Sequence, residues 1–244
     1  GFRADAVKHV SVESSQRFCT AIHQYAESIG KENFLITGEI TDSQIAPGYI
    51  DYFGGNLDAV LGIIAYPNLV SGFAKGTVDP QEFFALYNEH TTFGLTRQQG
   101  RFIVSVMDDH DMSSRGHKAR FAAGGQTPTI WLQAAHAVGV KLTMPGMPSI
   151  YYGTEQAFDG TEDYHDYSVE PKRFAEDRYI REAMFGGAFG AFGTAGCHFF
   201  NPQHPTYLRI AAIARLRNSK EAFGRALRRG RMFPRETAFL TIPF

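Results

Sequence analysis

A chain of 244 residues with 43% apolar and 20% charged side chains has the composition of a globular protein with a sizeable core, not of a disordered or fibrous one. With 24 basic against 25 acidic residues, its net charge of −1 provides no general attraction to nucleic acid or to an anionic membrane. No run approaches the roughly 20 apolar residues needed to span a bilayer, and the longest, Ala59–Tyr66, is interrupted by Gly62.

Gly1–Val7 reads as a strand. After it, Phe18, Ala21, Ile22, Tyr25 and Ile29 recur at helical spacing, with Ser11 as N-cap, Glu13 in the first turn and Gly30 as the stop. Phe34–Ile40 is the next strand, followed by a Gly- and Pro-containing loop through Asn56. Leu57–Ile64 reads as a third strand, apolar enough to be buried on both faces. A helix then starts near Asp79, with Pro80 in its first turn, and runs to about Glu89. Arg101–Met107 is a fourth strand, Pro128–Val138 a helix and Pro148–Tyr152 a fifth strand. Phe158–Asp177 is charged and loop-like, and the Gly-, Ala- and Phe-rich Met184–Ala195 reads as a packed loop. Pro205–Arg217 carries Tyr207, Ile210, Ala211 and Ala214 on one helical stripe, with Leu208 and Leu216 off it. From Ala226 the pattern turns toward β and supports one strand before Phe244. Strands alternating with helices point to βα units and a parallel sheet. Cys19 and Cys197 have no metal-ligand or redox spacing and are expected to be separate buried thiols. The first residues show no initiator Met and no charged segment leading into an apolar core, so the chain is expected to open inside a strand, and the compartment is left open.

Three strand ends carry acids: Asp5 in Gly-Phe-Arg-Ala-Asp, Glu39 in Leu-Ile-Thr-Gly-Glu, and Asp111 closing Met-Asp-Asp-His-Asp. Buried strands seldom hold charges unless these are paired or functional. Asp5 and Glu39 stand 34 positions apart, Glu39 and Asp111 a further 72. With about 31 residues per unit of an eight-unit barrel, these gaps are one unit and about two. All three acids would then open into one mouth at the C-terminal ends of their strands. Two carboxylates facing each other are the minimum machinery for glycoside hydrolysis. Arg3, two positions before Asp5, shares its face of the strand and would hold it ionised, as a nucleophile requires. Glu39 must start protonated, which a less cationic, partly desolvated place would favour. Strand-end caps or rim salt bridges account for any one of these acids, but poorly for three at this spacing.

These motifs resemble the alpha-amylase family (glycoside hydrolase family 13). GFRADAVKH (Gly1–His9) looks like its strand-four motif, FLITGEI (Phe34–Ile40) its strand-five motif, VMDDHD (Val106–Asp111) its strand-seven motif, and GMPSIYYGTE (Gly146–Glu155) its strand-eight segment. The resemblance implies a (β/α)8 TIM barrel, here incomplete, with about strands four to eight in residues 1–225 and the start of a C-terminal β-domain in 226–244. It also implies a retaining double displacement on α-linked glucosides, with Asp5 as nucleophile and Glu39 as acid/base. Asp111 and His110 would bind sugar hydroxyls at the reacting ring, and Lys8 and His9 would line the leaving-group side. The expected partner is an α-glucan or oligosaccharide, with no nucleic acid and no membrane. Asp109 stands where the family usually has Asn, and Thr37-Gly38 is a variant of its small-residue run. The family's first motif and strand-three excursion have no counterpart, so no metal or other cofactor is assigned, although Ca²⁺ is possible in a full-length parent. Hydrolase, transglycosylase or isomerase (trehalose synthase or glucanotransferase type), and non-catalytic carbohydrate-binding relative remain as alternatives. Retention of all three carboxylates weighs against the last.

Overall fold

In the computed structural model, residues 1–40, 57–62, 65–85, 102–111, 120–123, 127–159, 180–181, 184 and 200–232 are described. The loop to Asn56, the end of the helix expected to reach Glu89, most of Phe158–Asp177 and of Met184–Ala195, Cys197 and residues 233–244 lie outside them.

The strands β1 (Phe2–Ala4), β2 (Ile36–Ile40), β3 (Ala59–Gly62), β4 (Ile103–Ser105) and β5 (Met147–Pro148) form a five-stranded sheet in the order β1-β2-β3-β4-β5. Every pairing is parallel. Sequential parallel order requires each connection to cross the same face of the sheet, which is where the helices lie. These are α1 (Val12–Ser28), α2 (Ala65–Lys75), α3 (Pro80–Ala85), α4 (Pro128–Thr143), α5 (Pro205–Asn218) and α6 (Ala222–Arg229). Among the described residues no helix is long and apolar enough to cross a membrane.

Local chemistry explains the element ends. The Ser11 side chain caps α1 by accepting from the Ser14 amide at 3.2 Å, and Gly30 takes up the left-handed φ of 75° just past the helix. Thr127 caps α4 through the Ile130 amide, with Pro128 in the first turn. In β2, Ile36, Gly38 and Ile40 are buried toward the helices, while Thr37 and Glu39 face the other way.

The sheet therefore separates two apolar layers. The larger, between strands and helices, includes Ile36, Ile40, Val60, Phe83, Ile103, Met107, Phe121 and Val138. In it Phe73 stacks on Phe83 with ring centroids 4.4 Å apart, and Cys19 is fully buried. The smaller, on the inner face, consists of Ala59, Val104 and Val106 with Leu61 and Met147 against them.

Four expectations need correction. A helix, α2, occupies Ala65–Lys75, where no element was read between Ile64 and Asp79; Val70 and Ala74 bury in the core, and that packing overrides Pro67 and Gly72. The expected stripe on α5 holds at Ile210 and Ala214, but Thr206 and Ile213 complete the buried face, and Tyr207 and Ala211 are only half-buried. The fully buried Thr206 hydroxyl donates to the Trp131 carbonyl at 3.0 Å, so a polar residue takes a core position. The fifth strand is only Met147–Pro148, and the backbone turns from there into a 3₁₀ turn at Thr154–Gln156. Finally, α6 runs to Arg229, past the Ala226 boundary read as turning to β, its first residues anchored where buried Gly224 abuts the Ser219 carbonyl.

Candidate active site

The chain leaves β1 through a tight turn. Arg3 and Asp5 share a face, and Arg3 Nη1 donates to Asp5 Oδ1 at 2.6 Å. Its other nitrogen, Nη2, lies 3.2 Å from Glu39 Oε2. Ala6, the next residue, adopts a left-handed φ of 49° without being glycine, a conformation that costs about 1 kcal/mol or more. That geometry turns the Ala6 amide onto Glu39 Oε2 at 2.9 Å. Glu39 thus receives a guanidinium and a backbone N–H on one oxygen, and its side chain is 12% exposed.

Asp5 is different. Its side chain is 74% exposed, and its carboxyl is held below the usual carboxylate range, first by the Arg3 hydrogen bond and then by hydrogen bonding with Glu39. The expectation that Arg3 keeps Asp5 ionised agrees with this geometry. The expectation of a less cationic place for Glu39 does not: parallel register sets Arg3 beside Thr37, within reach of Glu39, and the guanidinium is shared.

Beyond β4 the chain keeps its alternation, so Val104, Val106 and Asp108 follow one another on the inner face. Asp108 is buried; Asp109 Oδ1 accepts from the Asp111 amide at 2.6 Å, closing a turn that presents His110 and Asp111. An Asn oxygen would accept the same bond, so the departure at Asp109 leaves the turn intact. The His110 carbonyl accepts from Arg181 Nε at 3.0 Å.

These segments enclose a cavity of about 150 Å³ lined by Arg3, Glu39, Leu61, Val106, Asp108, Asp109, His110, Asp111, Ser149 and Tyr151. The structure therefore brings together Arg3, Glu39, His110 and Asp111 among the expected site residues. Asp5 sits at the rim, joined to them through Arg3. Lys8 and His9 lie on the exposed 3₁₀ turn Val7–His9 and are not among the lining residues. Asp108, Ser149 and Tyr151 were not singled out. Period-two alternation from Val104 through Val106 carries the signal for Asp108; nothing local distinguishes Tyr151, whose phenol is pushed up chiefly by burial. Among the described residues no group of three His, Cys, Asp or Glu side chains stands where it could hold a metal ion.

No protein-family model matches the chain. Its sequence is similar to an alpha-amylase of Streptomyces lividans, 24% identical over 234 residues, covering 91% of this chain and 24% of that protein. It is also similar to a cyclomaltodextrin glucanotransferase of Klebsiella oxytoca, 29% identical over 174 residues, covering 63% of this chain and 26% of that one. In sequence the chain is similar to members of the alpha-amylase family. Its five parallel strands are part of the family's (β/α)8 barrel. The same fold is seen in the gamma-cyclomaltodextrin glucanotransferase (gamma-CGTase) of Alkalophilic bacillus clarkii, which superposes with a TM-score of 0.58 at 18% identity, over 88% of this chain and 25% of that one. The chain spans about a quarter of the length of the curated alpha-amylase-family relatives it matches.

Proposed function

We propose that this chain carries the catalytic carboxylates of a retaining glycoside hydrolase acting on α-glucosidic bonds of α-glucans or oligosaccharides. The observation that supports this most is Arg3 bridging Asp5 and Glu39 on a cavity shared with His110 and Asp111. Asp5, held ionised by Arg3, attacks the anomeric carbon as the glycosidic C–O bond breaks, and Glu39 passes its proton to the leaving oxygen. Water then gives a proton to Glu39 and its oxygen to the anomeric carbon, and the bond to Asp5 breaks. For Glu39 to act as acid, substrate must displace the Arg3 contact or draw it toward Asp5. His110 and Asp111 hydrogen-bond sugar hydroxyls at the reacting ring. Because the chain spans so little of its relatives, the activity is proposed for the protein that supplies the remaining barrel strands, and the isolated chain is expected to show none.

Transfer to a sugar acceptor is the second reading, favoured by the similarity to a protein named cyclomaltodextrin glucanotransferase. It uses the same two carboxylates with a sugar hydroxyl in place of water. The test is made in the full-length protein. Asp5→Asn is expected to abolish turnover of both maltooligosaccharides and α-glucosyl fluoride. Glu39→Gln is expected to lose the first and still form the glycosyl-enzyme from the fluoride, whose leaving group needs no proton. Identical behaviour of the two variants on the fluoride removes the assignment of roles.

A further inference from the structure

The cavity's far wall rests on a buried charged layer that the proposed reaction does not use. Asp108 is 3% exposed, Arg120 1% and Lys141 3%. Ionisable groups this deep are costly unless they are paired, so the contacts they make are informative. Asp108 Oδ1 accepts from the Phe121 amide at 2.7 Å, and Oδ2 accepts from the Thr154 hydroxyl at 3.2 Å. One carboxylate thereby ties the end of β4 to a segment 13 residues later and to one 46 residues later. Each of those segments reaches the cavity wall. Arg120, beside Phe121, donates to the Tyr152 carbonyl at 2.8 Å, and its guanidinium lies 4.5 Å from the Tyr151 ring centroid. Thr154 opens the 3₁₀ turn after Gly153, whose φ of 83° reverses the chain behind Tyr151. Lys141 Nζ donates to the carbonyl of Ser149, the other lining residue of this loop.

We propose that Asp108 is a positioning residue, holding the Asp109–Asp111 turn and the Ser149–Tyr151 loop in one frame so that His110, Asp111 and Tyr151 meet the same ligand. It acts through these neighbours and not on the reacting atoms. An Asn here can still accept from the Phe121 amide while its NH₂ donates to the Thr154 oxygen, whereas Ala leaves a buried amide and a buried hydroxyl without their acceptor. The positional role rests on the reading of this cavity as the reaction site; the coupling of the three segments does not.

The experiment reads both, in the full-length protein. Hydrogen exchange followed by mass spectrometry is expected to show Asp108→Ala raising exchange in residues 108–111, 120–123 and 151–156 together, with α1 unchanged. Thr154→Val, which keeps the side-chain shape and removes only the hydroxyl, is expected to raise exchange in 108–111 and 151–156. On maltooligosaccharides, Asp108→Ala is expected to lower kcat by about 10²-fold with a smaller change in KM, and Asp108→Asn to restore most of it. Exchange that rises only around residue 108, an unchanged kcat in Asp108→Ala, or Asp108→Asn as damaging as Asp108→Ala each overturns the proposal. If Asp108→Ala does not fold, unchanged exchange in both segments of Thr154→Val overturns it. Coupled exchange in a protein whose wild type cleaves no glucoside supports the coupling and sinks the reaction assigned to the cavity.

Discussion

Lys141 offers a test of the buried layer that needs no substrate. Its ammonium lies in the last turn of α4, 3% exposed, and donates to the Ser149 carbonyl. Burial lowers its pKa from 10.5 to about 8, with the nearby Asp108 charge opposing part of that fall. The sign follows from proton counting. Below about pH 8 both folded and unfolded chains carry the proton, and above 10.5 neither does. In between, the unfolded chain binds more protons, so stability rises with pH across that window and is lost again as pH falls through about 8. At about 1.4 kcal/mol per pKa unit, the window is worth up to about 3 kcal/mol. At pH 7 that desolvation cost is offset by a charged hydrogen bond of roughly 1.5–3 kcal/mol. Lys141→Met removes both, so the variant is expected to match the wild type within about 2 kcal/mol at pH 7. The two then diverge: urea unfolding in steps of pH from 7 to 10 is expected to show the wild type gaining on the variant by about 2–3 kcal/mol. Comparing the two proteins cancels the titration of every other group. Parallel curves over this range refute the reasoning and place the Lys141 proton outside the folding equilibrium.

Two further perturbations probe the near wall. Arg3→Met removes the contact that does most to hold the Asp5 carboxyl low; the acid limb of the kcat/KM profile is expected to move to higher pH, because the nucleophile must be ionised, and an unmoved limb rules out Arg3 as its cause. Gly38→Ala places a Cβ 2.6 Å from Leu57 Cδ1 and 3.3 Å from Val7 Cγ2, both on buried side chains. Overpacking of this kind costs about 1–3 kcal/mol, read as a lower urea midpoint; an unchanged midpoint means that Leu57 and the turn that holds Val7 both yield freely.

Much of the scaffold was legible in the sequence because it depends on neighbours along the chain. Ser11 capping α1, Pro128 opening α4 and the two-residue alternation that sends Glu39 away from Ile36, Gly38 and Ile40 are local matters of backbone geometry. Acids at strand ends one and about two βα units apart likewise announced a shared mouth, and Glu39 and Asp111 line it. What spacing could not state is which groups touch across strands. Arg3 was placed beside Asp5 by alternation alone, but its second contact, with Glu39, exists only because the parallel register sets β1 against β2 with Arg3 opposite Thr37. The same pairing leaves Asp5 exposed at the rim and not within the cavity. Helix α2 was hidden by Pro67 and Gly72, because its stability comes from Val70 and Ala74 in a core that local propensity does not register. Asp108 is the plainest case: it looks like one more acid in the Asp-Asp-His-Asp run, and only the approach of Phe121 and Thr154 from distant parts of the chain gives its buried charge donors. Local sequence determined where the carboxylates stand along the strands; tertiary packing decided which are exposed, which are shared and which are buried, because desolvation and hydrogen bonding are set by neighbours in space.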